Sequence, residues 1–169
     1  MQRHTLKESV ARNATALPFA KVREAGPLRT IVKGKAKVAA APSEQDWNNA
    51  AVYRITLPSA ANSVLRDSVA QSSPLSPSHP LTFSPLPSHL LKITYRGDCA
   101  RLYADGKLIA DNFYYGRPFL YGLWRLPKGT TELELRILPL QPDAPIYLPR
   151  EADRTPGEAV TDIEIINKQ

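Results

Sequence analysis

Residues 101 to 119, RLYADGKLIADNFYYGRPF, decide how the rest of the chain is read. Between Leu102 and Ile109 sits Asp105-Gly106, a pair that accepts the left-handed dihedrals of a two-residue turn matching the natural twist of two antiparallel strands. The spacing predicts a β-hairpin there. The hairpin runs into DNFYYGRPF, a crowd of aromatic and polar residues that suits a sugar-binding edge, a buried core or a docking surface. Which of these it is decides the function.

Outward from the hairpin, alternation with period two dominates. Tyr53, Ile55 and Leu57 face one way while Arg54 and Thr56 face the other. Leu91, Ile93 and Tyr95 alternate with Lys92, Thr94 and Arg96. Leu133, Leu135 and Ile137 alternate with Glu132, Glu134 and Arg136, and Ile163 and Ile165 alternate with Asp162 and Glu164. Each pattern predicts a strand with one buried and one wet face, as in antiparallel sheets. Further strands are expected at residues 28 to 33, 119 to 126 and 144 to 148. Short strands separated by turn residues predict an all-β fold, an antiparallel β-sandwich of the jelly-roll kind.

The chain has 169 residues and 16 prolines, enough length for one domain and too much proline for a mostly helical one. Residues 28 to 166 are read as a single sandwich domain, and residues 1 to 27 as an N-terminal extension or first edge strand. From Ser68 to Ser88 the sequence SVAQSSPLSPSHPLTFSPLPS carries five prolines and no alternation, so a flexible loop insertion is expected. The single cysteine, Cys99, permits no intrachain disulfide. No stretch is apolar enough for a membrane span or an export signal, so a soluble chain without membrane contact is expected.

The net charge of +6 raises an anionic partner. Lys33, Lys35 and Lys37 would share one strand face, most simply a solvated one, and nothing like a recognition helix or zinc finger accompanies them. Chemistry is equally sparse. There is no GxSxG and no Cys-His setting for a nucleophile, no metal-ligand spacing and no phosphate-binding glycine loop. No catalytic residue, metal site or cofactor is therefore expected. His4, His79 and His89 are expected to be solvated. A glycosidase needs two carboxylates across a cleft. Glu132 and Glu134 fall on an outward strand face, Asp105 belongs to the turn, and Asp111 stands alone among aromatics.

Three segments together resemble a known family: VYRITL, LLKITYRGDCARLYADGKLIADNFYYGRPFLYGLWRL and LELRILPLQPDAPIYLP. They are similar to the C-terminal β-sandwich region of bacterial glycoside hydrolase family 35 proteins, the β-galactosidase family. More distantly, strand, Asp-Gly-Lys, strand and Gly116-Arg117-Pro118-Phe119 resemble the galactose-binding-like jelly rolls attached to many glycoside hydrolases. The resemblance covers roughly residues 28 to 58 and 90 to 166. It implies an accessory domain without the catalytic barrel, so no catalytic glutamate carries over. It also implies a parent enzyme exported to the periplasm or outside.

Three functions follow for the cluster of Asp111, Asn112, Tyr114, Tyr115, Arg117 and Trp124. It could stack a galactoside-type carbohydrate on its rings and bind the hydroxyls through its polar groups. It could pack against a glycoside hydrolase catalytic domain, since interfaces favour the same residue types, and Phe113, Phe119 and Leu120 could equally be core. A basic single-strand nucleic-acid binder accounts for the charge but not for the motifs. The accessory, barrel-packing domain is the preferred expectation.

Overall fold

The computed structural model describes residues 14–31, 39–58, 89–142 and 144–167. They form two antiparallel sheets. The strands are β1 (Ala14–Ala16), β2 (Phe19–Arg23), β3 (Ala51–Thr56), β4 (His89–Arg96), β5 (Cys99–Ala104), β6 (Lys107–Phe113), β7 (Phe119–Gly122), β8 (Glu132–Ile137) and β9 (Ala159–Asn167). One sheet has four strands in the order β1-β9-β4-β7, and the other has five in the order β2-β3-β8-β5-β6. The chain changes sheet at every connection except β2–β3 and the β5–β6 hairpin. Apart from β2, which extends one edge, this is the order of a jelly roll, a sandwich wound from Greek keys.

The alternating residues explain why the sheets close on each other. Tyr53, Ile55, Leu91, Ile93, Leu133, Leu135, Ile137, Ile163 and Ile165 are all buried in one core, with Leu102 and Phe119 added from the hairpin region. Period-two alternation puts these side chains on the inner face of each sheet, and removing their apolar surface from water is the main force holding the sheets together. The hairpin turns at Asp105 (φ 50°) and Gly106 (φ 73°), both left-handed, which is the two-residue geometry that the Asp-Gly pair favours.

Three expected strands differ. Residues 28–31 form no ladder, since their anchors are side-chain bonds: Arg29 reaches inward to Asp98, and Gln141 Nε2 donates to the Arg29 carbonyl at 2.6 Å. Residues 32 and 33 lie outside the described residues. The strand expected over 119 to 126 stops at Gly122, where Leu123–Arg125 winds into a single 3₁₀ turn closed by the Leu126 amide on the Leu123 carbonyl. No strand forms at 144–148, a stretch whose Pro145 has no N–H to offer a ladder. Upstream, β1 and β2 each supply an edge strand, one to each sheet. The insertion at 68 to 88, the lysine row at 33, 35 and 37, and His4 and His79 lie outside the described residues. His89, expected in solvent, is buried: it opens β4 on the inward-facing phase of the strand, opposite Asn167.

Candidate functional site: a sheet face and a cleft

The six residues singled out around the hairpin do not form one platform. Tyr114 is 6% exposed. Its ring meets Tyr95 edge to face at 5.6 Å, and its hydroxyl donates to the Asp153 carbonyl at 3.1 Å. Burial pushes the phenol pKa up, which keeps it a neutral donor. Tyr114 is thus a core residue and presents no ring face to a ligand. Asn112 also turns inward, donating from Nδ2 to the Tyr95 hydroxyl at 2.8 Å. Asp111 is exposed opposite Arg101, while Tyr115 and Arg117 are exposed on the β6–β7 crossover. Trp124 sits beyond the far end of β7. Tyr114 is buried and Tyr115 exposed, so the two neighbouring rings do not form one platform.

The outer faces of the two sheets have unlike chemistry. On the five-stranded sheet, charge pairs cover the strands: Arg54 Nε to Glu132 at 3.0 Å, Arg136 Nε to Glu134 at 2.6 Å, and Arg101 to Glu44 at 2.8 Å. The guanidiniums of Arg136 and Arg101 lie over the rings of Tyr103 and Trp47, at 4.5 and 4.4 Å. Its exposed apolar residues, Phe113 and Leu108, lie along the β6 edge.

Register gives the four-stranded sheet a different surface. Ala14 pairs with Ile166, Ile166 with Leu90, and Leu90 with Gly122, so these positions form one row across all four strands. The next row is Ala16, Glu164, Lys92 and Leu120. Leu91, Tyr121 and Ile165 point into the core, so the rows through Leu90 and Lys92 point out. Leu120 is 53% exposed and Trp124 44%, and the indole lies over Gly122, completing the first row. The only charges in the two rows are Lys92 and Glu164, which neutralise each other at 2.8 Å. The face is an apolar band where the alternation led one to expect a wet surface.

Beyond this band, where β4 and β9 approach the crossover, is a cleft of 220 Å³. Arg96 on its wall is paired with Asp153 at 2.9 Å. Asp153 is held down to about 2 by hydrogen bonds from Thr155 and then from Arg96, so it is ionised throughout the neutral range. Elsewhere, Glu158 is buried and accepts from Lys21 at 2.8 Å and from the Tyr53 hydroxyl. Desolvation and that bond push the Tyr53 phenol up to about 12, too high for a base at neutral pH, so this cluster is a structural tie between the sheets.

Sequence reasoning missed Leu90 and Ile166, which in one dimension look like continuations of buried runs. It also missed Arg29 and Asp98, a buried pair joined at 2.8 Å across 69 positions of chain. Among the described residues no cluster of His, Cys, Asp and Glu could hold a metal, and no helix is long and apolar enough to cross a membrane. No protein-family model, curated protein or solved structure matches this chain.

Proposed function

We propose that the chain is a non-catalytic accessory domain of a β-galactosidase-like glycoside hydrolase, docked on the catalytic barrel through the outer face of its four-stranded sheet. The observation that carries this reading is the asymmetry between the two outer faces. One carries charge pairs over its three central strands, with Phe113 and Leu108 exposed along its β6 edge; the other exposes Leu120 and Trp124 in rows with Leu90 and Ile166, around one neutralised pair. Contiguous exposed apolar surface marks a contact site, and Trp is among the residue types enriched at the energetic anchors of such sites. The segments resembling family 35 sandwiches include β4, the hairpin and β7, so the resemblance and the apolar face coincide on β4 and β7. Galactoside stacking on the hairpin cluster has less support, because Tyr114 is buried and Asn112 is turned inward.

Sedimentation with a family 35 catalytic barrel tests the reading. The wild-type chain and Thr56→Lys, altered on the opposite outer face, co-sediment with the barrel. The double variant Leu120→Lys, Trp124→Lys loses at least about tenfold in affinity, the equivalent of about 1.4 kcal/mol. Undiminished association of the double variant would exclude this face.

A further inference from the structure

The cleft has a composition suited to an acidic ligand. Arg96, at the end of β4, and Arg117, on the β6–β7 crossover, come from separate elements and line the same 220 Å³ space. Thr94 and Thr161 add hydroxyls to its wall. Thr94 lies two residues past Lys92 on β4, about 7 Å at the rise of a strand, so the cleft adjoins the Lys92 row, while the residues that line it are not those of the two rows.

Three facts bear on what it binds. Arg117 makes no ion pair or hydrogen bond among the described residues, and the buried Nε of Arg96 has no acceptor there. The one acid on the wall, Asp153, is already engaged: Oδ1 accepts from the Thr155 amide at 2.9 Å and hydroxyl at 2.6 Å, and Oδ2 accepts from Arg96 Nη1. The two guanidiniums and this carboxylate leave the cleft with one net positive charge. The crossover is also fixed in place. Gly116 has φ +83°, and a Cβ there would stand 2.6 Å from that of Ala152, so the backbone carrying Arg117 is pressed against the 152 loop.

A planar fork of N–H donors matches the two oxygens of a carboxylate. The Thr161 hydroxyl donates to the Thr94 carbonyl at 3.2 Å, which leaves its lone pairs free to accept. The volume is below the roughly 300 to 1,000 Å³ of drug-sized pockets, so the ligand is a single ring or smaller. We propose that this cleft binds a sugar acid, its carboxylate on Arg117 with Arg96 behind it and its ring hydroxyls on Thr94 and Thr161.

An NMR titration of the free ¹⁵N-labelled chain with glucuronate, glucose and acetate tests this without any barrel, so its outcome is independent of docking. Glucuronate is expected to shift the amides of Gly116 and Thr161 saturably in the millimolar range. Glucose should leave them unmoved, and acetate should bind at least about tenfold more weakly. Arg117→Gln, at an exposed position, should weaken glucuronate about tenfold or more with an unchanged melting temperature, and Arg117→Lys less. No shift with glucuronate, equal response to glucose, acetate binding as tight as glucuronate, or full affinity in Arg117→Gln would each overturn the proposal.

Discussion

The indole of Trp124 lies over Gly122: a Cβ built on that glycine would stand 2.6 Å from Cζ2 and 2.7 Å from Cη2. The bare glycine lets the ring settle on the sheet and extend the apolar row that Ala14, Ile166 and Leu90 begin. Gly122→Val should therefore push the indole outward. The expected result is a red-shifted tryptophan emission and a loss of about 1 to 3 kcal/mol in denaturant unfolding, the usual cost of overpacking. Since Trp47 is buried, the spectral change reports Trp124.

The two neighbouring tyrosines should separate cleanly. Tyr114→Ala removes a core ring packed on Tyr95 and should cost about 3 to 5 kcal/mol, whereas Tyr114→Phe loses only the bond to the Asp153 carbonyl, about 1 kcal/mol. Tyr115→Ala, on the exposed crossover, should stay within about 0.5 kcal/mol of wild type. Urea unfolding of the three variants checks the order.

Arg29 and Asp98 form a buried pair that pins residues 28–31 to the turn between β4 and β5, with Arg29 Nη1 donating onward to the Ala40 carbonyl at 3.1 Å. Asp98→Ala would strand the guanidinium, and the expected loss is about 3 to 5 kcal/mol. The double variant Arg29→Met, Asp98→Ala should recover part of that loss, because it removes the uncompensated charge. A double-mutant cycle by chemical denaturation measures both.

Asp153 gives the pH dependence a definite sign. Its folded value of about 2 is below the ordinary 3.8, so the ionised form is the one favoured by folding. Its contribution is complete above the ordinary value and fades as pH falls from there through 2. The melting-temperature gap between wild type and Asp153→Asn should therefore hold steady from about pH 5 to pH 8 and close towards pH 2.

Much of the fold is legible in the chain because each core strand carries its own evidence: Tyr53, Ile55, Leu91, Ile93, Leu133, Leu135, Ile163 and Ile165 alternate with polar neighbours. The hairpin is equally local, since Asp105 and Gly106 alone set the turn. What the sequence hides is whatever a partner strand supplies. ATA at 14–16 and FAKVR at 19–23 have little alternation, and they become strands through ladders offered by β9 and β3. The candidate face is hidden for the same reason. Leu90, Leu120, Trp124 and Ile166 come from three distant segments, and register alone aligns them. The recognition residues proposed around the hairpin cluster in sequence, and the crossover after β6 divides them: Tyr114 into the core, Tyr115 and Arg117 outward.

The chain has two tryptophans, one buried and one on the proposed docking face, and this allows a direct measurement. Labelled with 5-fluorotryptophan, it should give two ¹⁹F resonances, with only that of Trp124 sensitive to exchange of H₂O for D₂O. On addition of a family 35 catalytic barrel, the account predicts that the Trp124 resonance shifts and loses its solvent sensitivity while that of Trp47 stays put. A Trp124 resonance that keeps its position and its solvent sensitivity at saturating barrel would contradict it.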